Sequence, residues 1–184
     1  MDNKVVFLTC GDPMTATTHV DLRIRAIKKG VETMVIHGSS IVTAVPGMLG
    51  LQSYKFGRAT TLVIPEKNFF PTSPYDVIKE NKKIGLHTLV LLDIQADKKR
   101  YMTANEGLKV LMELEEDKQE KVFDKNSIFC VVARAGSEDC VVAAGTFDDL
   151  IDRDFGSPLH TLVVPGKLHF MEIEALKVLA QLPA

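Results

Sequence analysis

The chain has 184 residues, 46% hydrophobic and 25% charged, with a net charge of −2. That size allows one domain or two small lobes with a real core, and the near-neutral balance carries no basic field for a nucleic-acid partner. Cys10, Cys130 and Cys140 have no Cys-x-x-Cys spacing, so they fit neither a disulfide framework nor a zinc site and point to a reducing compartment. No apolar run is long enough to cross a membrane, and the polar start Met1-Asp2-Asn3-Lys4 is not a signal peptide. A soluble, cytoplasmic protein is expected.

Val5-Val6-Phe7-Leu8 reads as a strand, cut off by the sharp turn Cys10-Gly11-Asp12-Pro13 and followed by the helix-starting residues Thr17 and Thr18. A carboxylate at the C-terminal end of a strand marks the edge where open α/β sheets bind ligands, although such a turn is often only a turn. The helix should run to Lys29 with Val20, Ile24 and Ile27 on one face and Gly30 closing it. Thr33 to Ile36 reads as a second strand that delivers His37-Gly38-Ser39-Ser40 to the same edge. Ile41 to Val45 then begins a short apolar helix broken at Pro46-Gly47, and Leu51 to Gly57 is a connector.

Thr60 to Ile64 opens a second lobe as a strand, and the loop Pro65 to Ser73 carries Phe69 and Phe70, either as a plug between lobes or as a substrate or dimer contact. Ser73-Pro74 starts a helix to Lys83, and Thr88 to Ile94 is a central strand ending at Asp93. Thr103-Ala104-Asn105-Glu106 is a capping box ahead of an amphipathic helix, and Thr146-Phe147-Asp148-Asp149 is a second one. Ser127 to Val132 is a further strand that Cys140 to Ala144 could pair with. Leu162 to Val164 is another, and a closing helix runs from about Phe170 to Leu182. The whole is an α/β chain of two lobes, residues 1–58 and 59–184. The first lobe holds two strands, too few for a stable doubly wound sheet, and lacks a glycine-rich first strand-to-helix turn.

Taken together, VVFLTCGDPMTATTH, VIHGSSIVTAV, LQSYKFG, NFFPTSPYDVIKEN, GLHTLVLLDI, RYMTANE, VVARAGS and VVPGKLH closely resemble the diphthine synthases. These are S-adenosylmethionine-dependent methyltransferases of diphthamide biosynthesis within the tetrapyrrole-methylase superfamily. The resemblance runs from Val5 to about Leu182, and the uninterrupted DIQADKKRYMTANE is closer to the archaeal form than to the eukaryotic one. It implies a tetrapyrrole-methylase-like fold of αβα sandwiches, a homodimer, and S-adenosyl-L-methionine folded into the cleft between lobes, with S-adenosyl-L-homocysteine as product. It also implies translation elongation factor 2 as the protein substrate, methylated on the amino group of 2-(3-amino-3-carboxypropyl)-histidine, with no direct nucleic acid and no membrane.

On matching positions the resemblance assigns cofactor contacts to Asp12 and Thr15 in the first turn and to Ser40 and Ile41 at the start of the short helix. It adds Leu92 at the end of the central strand, Ala135 in ARAGS, and His160 before the last strand. The family's first contact lies in a glycine-rich loop upstream of Met1, so the first lobe is expected to be incomplete and the chain a truncated product, a mis-called start or a cleaved piece. Three readings stay open: the methyltransferase itself, a non-catalytic dimerising fragment of it, and a tetrapyrrole methyltransferase.

Methyl transfer from a sulfonium is an in-line displacement, so positioning and a dry cleft are the main demands on the protein. No general base is identifiable, and no histidine spacing suggests a metal. Asp12 suits a cofactor hydroxyl or ammonium, or else an Asx-type cap. Ser40 suits a ligand or an N-cap, and His160 a ligand or a structural hydrogen bond. Core packing alone would explain Leu92 and Ala135. Cys10, in the turn, is either a reactive thiol or, the reading preferred, a small buried one.

Overall fold

The computed structural model describes residues 4–66 and 69–183, and the chain divides into a unit of Met1–Ala44 and a unit of Val45–Ala184. The Met1-Asp2-Asn3 start and residues Lys67 and Asn68 of the aromatic loop lie outside the described residues.

In the smaller unit, helix α1 (His19–Lys28) follows the Gly11-Asp12-Pro13 turn, and Gly30, at φ +78°, lets the chain leave it. The expected strands at Val5 to Leu8 and Thr33 to Ile36 do not form, since among the described residues every ladder lies in the larger unit. An apolar run becomes a strand only where a neighbour takes its hydrogen bonds. These runs have none, and Leu8 and Met34 are each 86% exposed. The predicted inner face of α1 is also open, with Val20, Ile24 and Ile27 exposed.

Helix α2 (Ile41–Leu49) does not break at Pro46-Gly47 but runs through it. An interior proline removes one hydrogen bond and costs about 3 kcal/mol. Burial of Val45, Pro46 and Leu49, at roughly 1.5–3 kcal/mol for each large apolar side chain, offsets that cost. The segment that follows, already within the larger unit, is held by residues around Asn81 and His87. Gly57 N–H donates to the His87 carbonyl at 2.9 Å, His87 N–H donates to the Lys55 carbonyl at 2.8 Å, and Asn81 brackets the backbone of Arg58.

The larger unit is built on β1 (Thr60–Leu62), β2 (Thr88–Leu92), β5 (Phe129–Ala133), β6 (Val141–Gly145) and β7 (His160–Val164), with a short hairpin of β3 (Ile94–Gln95) and β4 (Arg100–Tyr101). Sheet order is β1-β2-β7-β5-β6. β1 and β2 are parallel and the other neighbours antiparallel. The helices are α3 (Ser73–Lys83), α4 (Ala104–Lys118), α5 (Phe147–Leu150) and α6 (Phe170–Ala180). Every residue of β5 and β7 is buried, as their continuous apolar runs require of strands covered on both faces.

One face of the sheet receives Tyr75 and Ile78 of α3 and Leu108, Leu111 and Leu114 of α4, packed with Leu62, Val90, Val131 and Leu162. Gly107 lets α4 close on the sheet, because a Cβ there would stand 2.8 Å from the Leu92 side chain. Both expected capping boxes form, Thr103 with Glu106 and Thr146 with Asp149, and His169 with Glu172 makes a third. Replacing Thr103 with alanine should lower the unfolding free energy by about 1 kcal/mol, visible as a fall in the urea midpoint at constant slope.

Candidate functional site

The predicted contacts fall into two groups, one in each unit. In the smaller unit, Gly11 at φ +79° turns the chain so that the Asp12 carboxylate folds back onto its own loop. Its Oδ1 accepts from Met14 N–H at 2.8 Å and from the Thr15 hydroxyl at 3.1 Å. Its Oδ2 accepts from His37 Nδ1–H at 2.7 Å and from Gly38 N–H at 3.3 Å. The Met14 N–H, then His37 and Thr15, hold the Asp12 carboxyl at about 2, so it is ionised at neutral pH.

The two backbones touch here, which demands glycine. A Cβ on Gly38 would sit 2.8 Å from the Gly11 carbonyl oxygen, and one on Gly11 3.3 Å from that of Ser39. Ser40 follows directly and caps α2, its Oγ accepting from Val42 N–H at 3.2 Å, and Ile41 is the first residue of that helix. His19 fixes the turn to α1 by donating from Nδ1 to the Pro13 carbonyl at 2.8 Å, with the Phe7 ring edge-on to it. Asp12 and Thr15 are therefore in direct contact, and the strip leading to Ser40 and Ile41 lies against the same turn. His37, which the sequence does not single out as a contact, is bonded to the Asp12 carboxylate of this group. Its cue was an imidazole on the segment expected to reach the same edge as Asp12. Cys10 is exposed rather than buried, because the turn presses Gly11, not the thiol, against the neighbouring backbone.

In the larger unit, antiparallel pairing brings the ends of β2 and β5 to the start of β7. Leu92 lies one residue beyond the Leu91–Thr161 pair, and Ala135 two residues beyond the Ala133–His160 pair. His160 is the first residue of β7 instead of preceding it. Leu92 is buried and Ala135 exposed. The His160 ring is spoken for on both sides: Ala104 N–H donates to Nδ1 at 3.1 Å, and Nε2–H donates to the Ser157 carbonyl at 3.0 Å. Burial, against the Ser157 bond, keeps its pKa below the ordinary imidazole value. The ring is a neutral brace between β7 and α4.

At the same edge, Asp93 Oδ2 accepts from Ile64 N–H and from Gln95 Nε2, each at 3.1 Å, tying the ends of β1 and β2 together. Phe69 and Phe70 are both exposed. Among the described residues no helix is long and apolar enough to cross a membrane.

The family model of the tetrapyrrole (corrin/porphyrin) methylases matches residues 2–151. A diphthine synthase of Methanococcus maripaludis is 57% identical over 178 residues, covering 97% of this chain and 69% of that protein. One of Methanocaldococcus jannaschii is 57% identical over 182 residues, covering 98% and 70%. A crystal structure of diphthine synthase matches with a TM-score of 0.82 at 40% identity, covering 94% of this chain and 64% of that one. The chain belongs to the tetrapyrrole methylases and, within them, to the diphthine synthases, S-adenosylmethionine-dependent methyltransferases of diphthamide biosynthesis.

Proposed function

We propose that this chain uses S-adenosyl-L-methionine to methylate the amino group of 2-(3-amino-3-carboxypropyl)-histidine on translation elongation factor 2, releasing S-adenosyl-L-homocysteine, as a homodimer in the cytoplasm. Identity of 57% to a diphthine synthase across 97% of the chain carries this reading. The contacts proposed for the cofactor are Asp12, Thr15, Ser40, Ile41, Leu92, Ala135 and His160.

Their chemistry fits such a group. An ionised carboxylate and two hydroxyls suit an ammonium and ribose hydroxyls, while Ile41, Leu92 and Ala135 offer apolar and small surfaces to a purine. When bound, the cofactor supplies an electrophilic methyl on a sulfonium. Asp12 already accepts from four donors, so a ligand gains it by displacing the Thr15 hydroxyl or the His37 ring, whose side chain is 70% exposed. The His160 ring takes no part in proton transfer, because both nitrogens are engaged.

The test is to incubate the chain and S-adenosylmethionine with elongation factor 2 carrying the unmethylated side chain, then weigh the modified peptide. Successive methyl masses on that residue are expected. No added mass, with cofactor binding seen by calorimetry in the same preparation, would overturn the substrate assignment.

A further inference from the structure

The ladder between β5 and β7 ends at the pair Ala133–His160, and beyond it the two chains separate into loops. Arg134 stands at that point of separation. Its backbone is left-handed at φ +51°, a conformation rare for a residue with a long side chain. Its N–H donates to the Leu159 carbonyl at 2.8 Å.

The side chain, 12% exposed, folds back across the gap. Nε donates to Asp139 Oδ2 at 2.6 Å and Nη2 to the Asp139 carbonyl at 2.7 Å, which closes the loop after β5 on itself. Nη1 donates to the carbonyls of Phe155 and Ser157, each at 2.6 Å, which reaches the loop before β7. Ser157 is also the residue whose carbonyl accepts from His160 Nε2–H. Gly156, at φ +73°, makes room for the guanidinium, since a Cβ there would stand 2.9 Å from Nη1. A planar fork of five donors can span two loops in this way, and an ammonium cannot.

We propose that Arg134 is a positioning residue for the cofactor. Its guanidinium clamps the loop after β5 to the loop before β7 and so fixes the separation of Ala135 from His160. This rests on the reading of those two residues as cofactor contacts. Arg134 is not itself a contact, because its donors are turned inward onto Asp139, Phe155 and Ser157.

Three variants of the chain test it: R134M, R134K and, as a control, T146A, which removes the α5 cap away from this edge. S-adenosylhomocysteine is titrated calorimetrically into each, and amide exchange is followed in the free proteins. R134M should bind about 10-fold or more weakly, as loss of an outer-shell partner does at other sites, and R134K should recover only part of the loss. In both, the amides of residues 135–139 and 155–159 should exchange faster while those of β5 and β7 stay protected. T146A should lose stability and bind like the wild type. Should R134M be unable to fold, R134K alone decides the matter by the same two measurements. Unchanged affinity in the arginine variants overturns the proposal, as does an equal weakening in T146A. A wild-type chain that does not bind S-adenosylhomocysteine overturns the cofactor reading and the proposal with it. The two failures are therefore told apart.

Discussion

Replacing Glu172 with alanine is expected to lower the unfolding free energy by about 3–5 kcal/mol, the cost of breaking a buried, hydrogen-bonded ion pair from one side. The Glu172 side chain is 1% exposed. Its Oε1 accepts from Gln52 N–H and His87 Nε2–H, each at 3.0 Å, and its Oε2 accepts from His169 N–H at 2.8 Å and pairs with the Lys55 ammonium. Burial pushes the Glu172 carboxyl up, but the His169 N–H, Lys55, Gln52 N–H and His87 together outweigh it and hold the group at about 2. On the far side of the His87 ring, Gly166 N–H donates to Nδ1 at 3.0 Å, so the ring is neutral with its proton on Nε2. Burial lowers its pKa accordingly.

Alanine would leave a lysine ammonium, two backbone N–H groups and an imidazole N–H facing a void. Urea unfolding of the two chains at neutral pH measures the difference, and a loss below about 1 kcal/mol would show that the lysine simply turns out to solvent. The pH dependence has a definite sign. A carboxyl whose folded pKa is depressed stabilises above its unfolded pKa of 4.5 and loses that contribution as pH falls toward 2. The neutral His87 likewise costs stability once pH falls below the ordinary imidazole value of 6.5. The gap between wild type and E172A should therefore narrow on acidification from pH 4.5 toward 2.

Replacing Asp12 with asparagine is expected to weaken S-adenosylhomocysteine binding by about tenfold or more, because four charge-assisted bonds converge on one group. The carboxylate only accepts, and all four of its neighbours donate. An asparagine must present an NH₂ either to Met14 and Thr15 or to His37 and Gly38, and either choice sets donor against donor. The turn and the His37 segment then part. Because the Asp12 carboxyl is held at about 2, the wild-type affinity should not vary through titration of this group between about pH 5 and 8. Calorimetric titration at several pH values checks both points. A D12N chain that binds as tightly as the wild type removes Asp12 from the site.

What could be read from the sequence divides by distance along the chain. The boxes at Thr103–Glu106 and Thr146–Asp149 were legible because both partners lie three residues apart and the bonds are local. The turn at Asp12 was legible for the same reason, whereas the bond from the Thr15 hydroxyl was not anticipated. The meeting of Leu92, Ala135 and His160 was not derivable from pattern. It depends on β7 running antiparallel to both β2 and β5, and that direction is set by pairings remote in sequence. Glu172 joins Gln52, Lys55 and His87 across the same kind of gap, and the cue beside it, His169-x-x-Glu172, uses an uncommon capping residue. Pro46 misled because local propensity argues for a break, whereas burial of Val45 and Leu49 decides for a helix. Val5 to Leu8 misled in the opposite way: its composition suits a strand, but pairing is a property of two segments, not one.

The position of β7 has a consequence for how the chain is made. It is the last strand to be synthesised and the middle strand of the sheet, with β1 and β2 on one side and β5 and β6 on the other. Until Val164 has left the ribosome, the two pairs cannot be joined, and each keeps an unsatisfied strand edge. Folding of this unit therefore closes around a strand that arrives after its four neighbours. The nascent chain is most open to wrong pairing in the interval before that strand arrives.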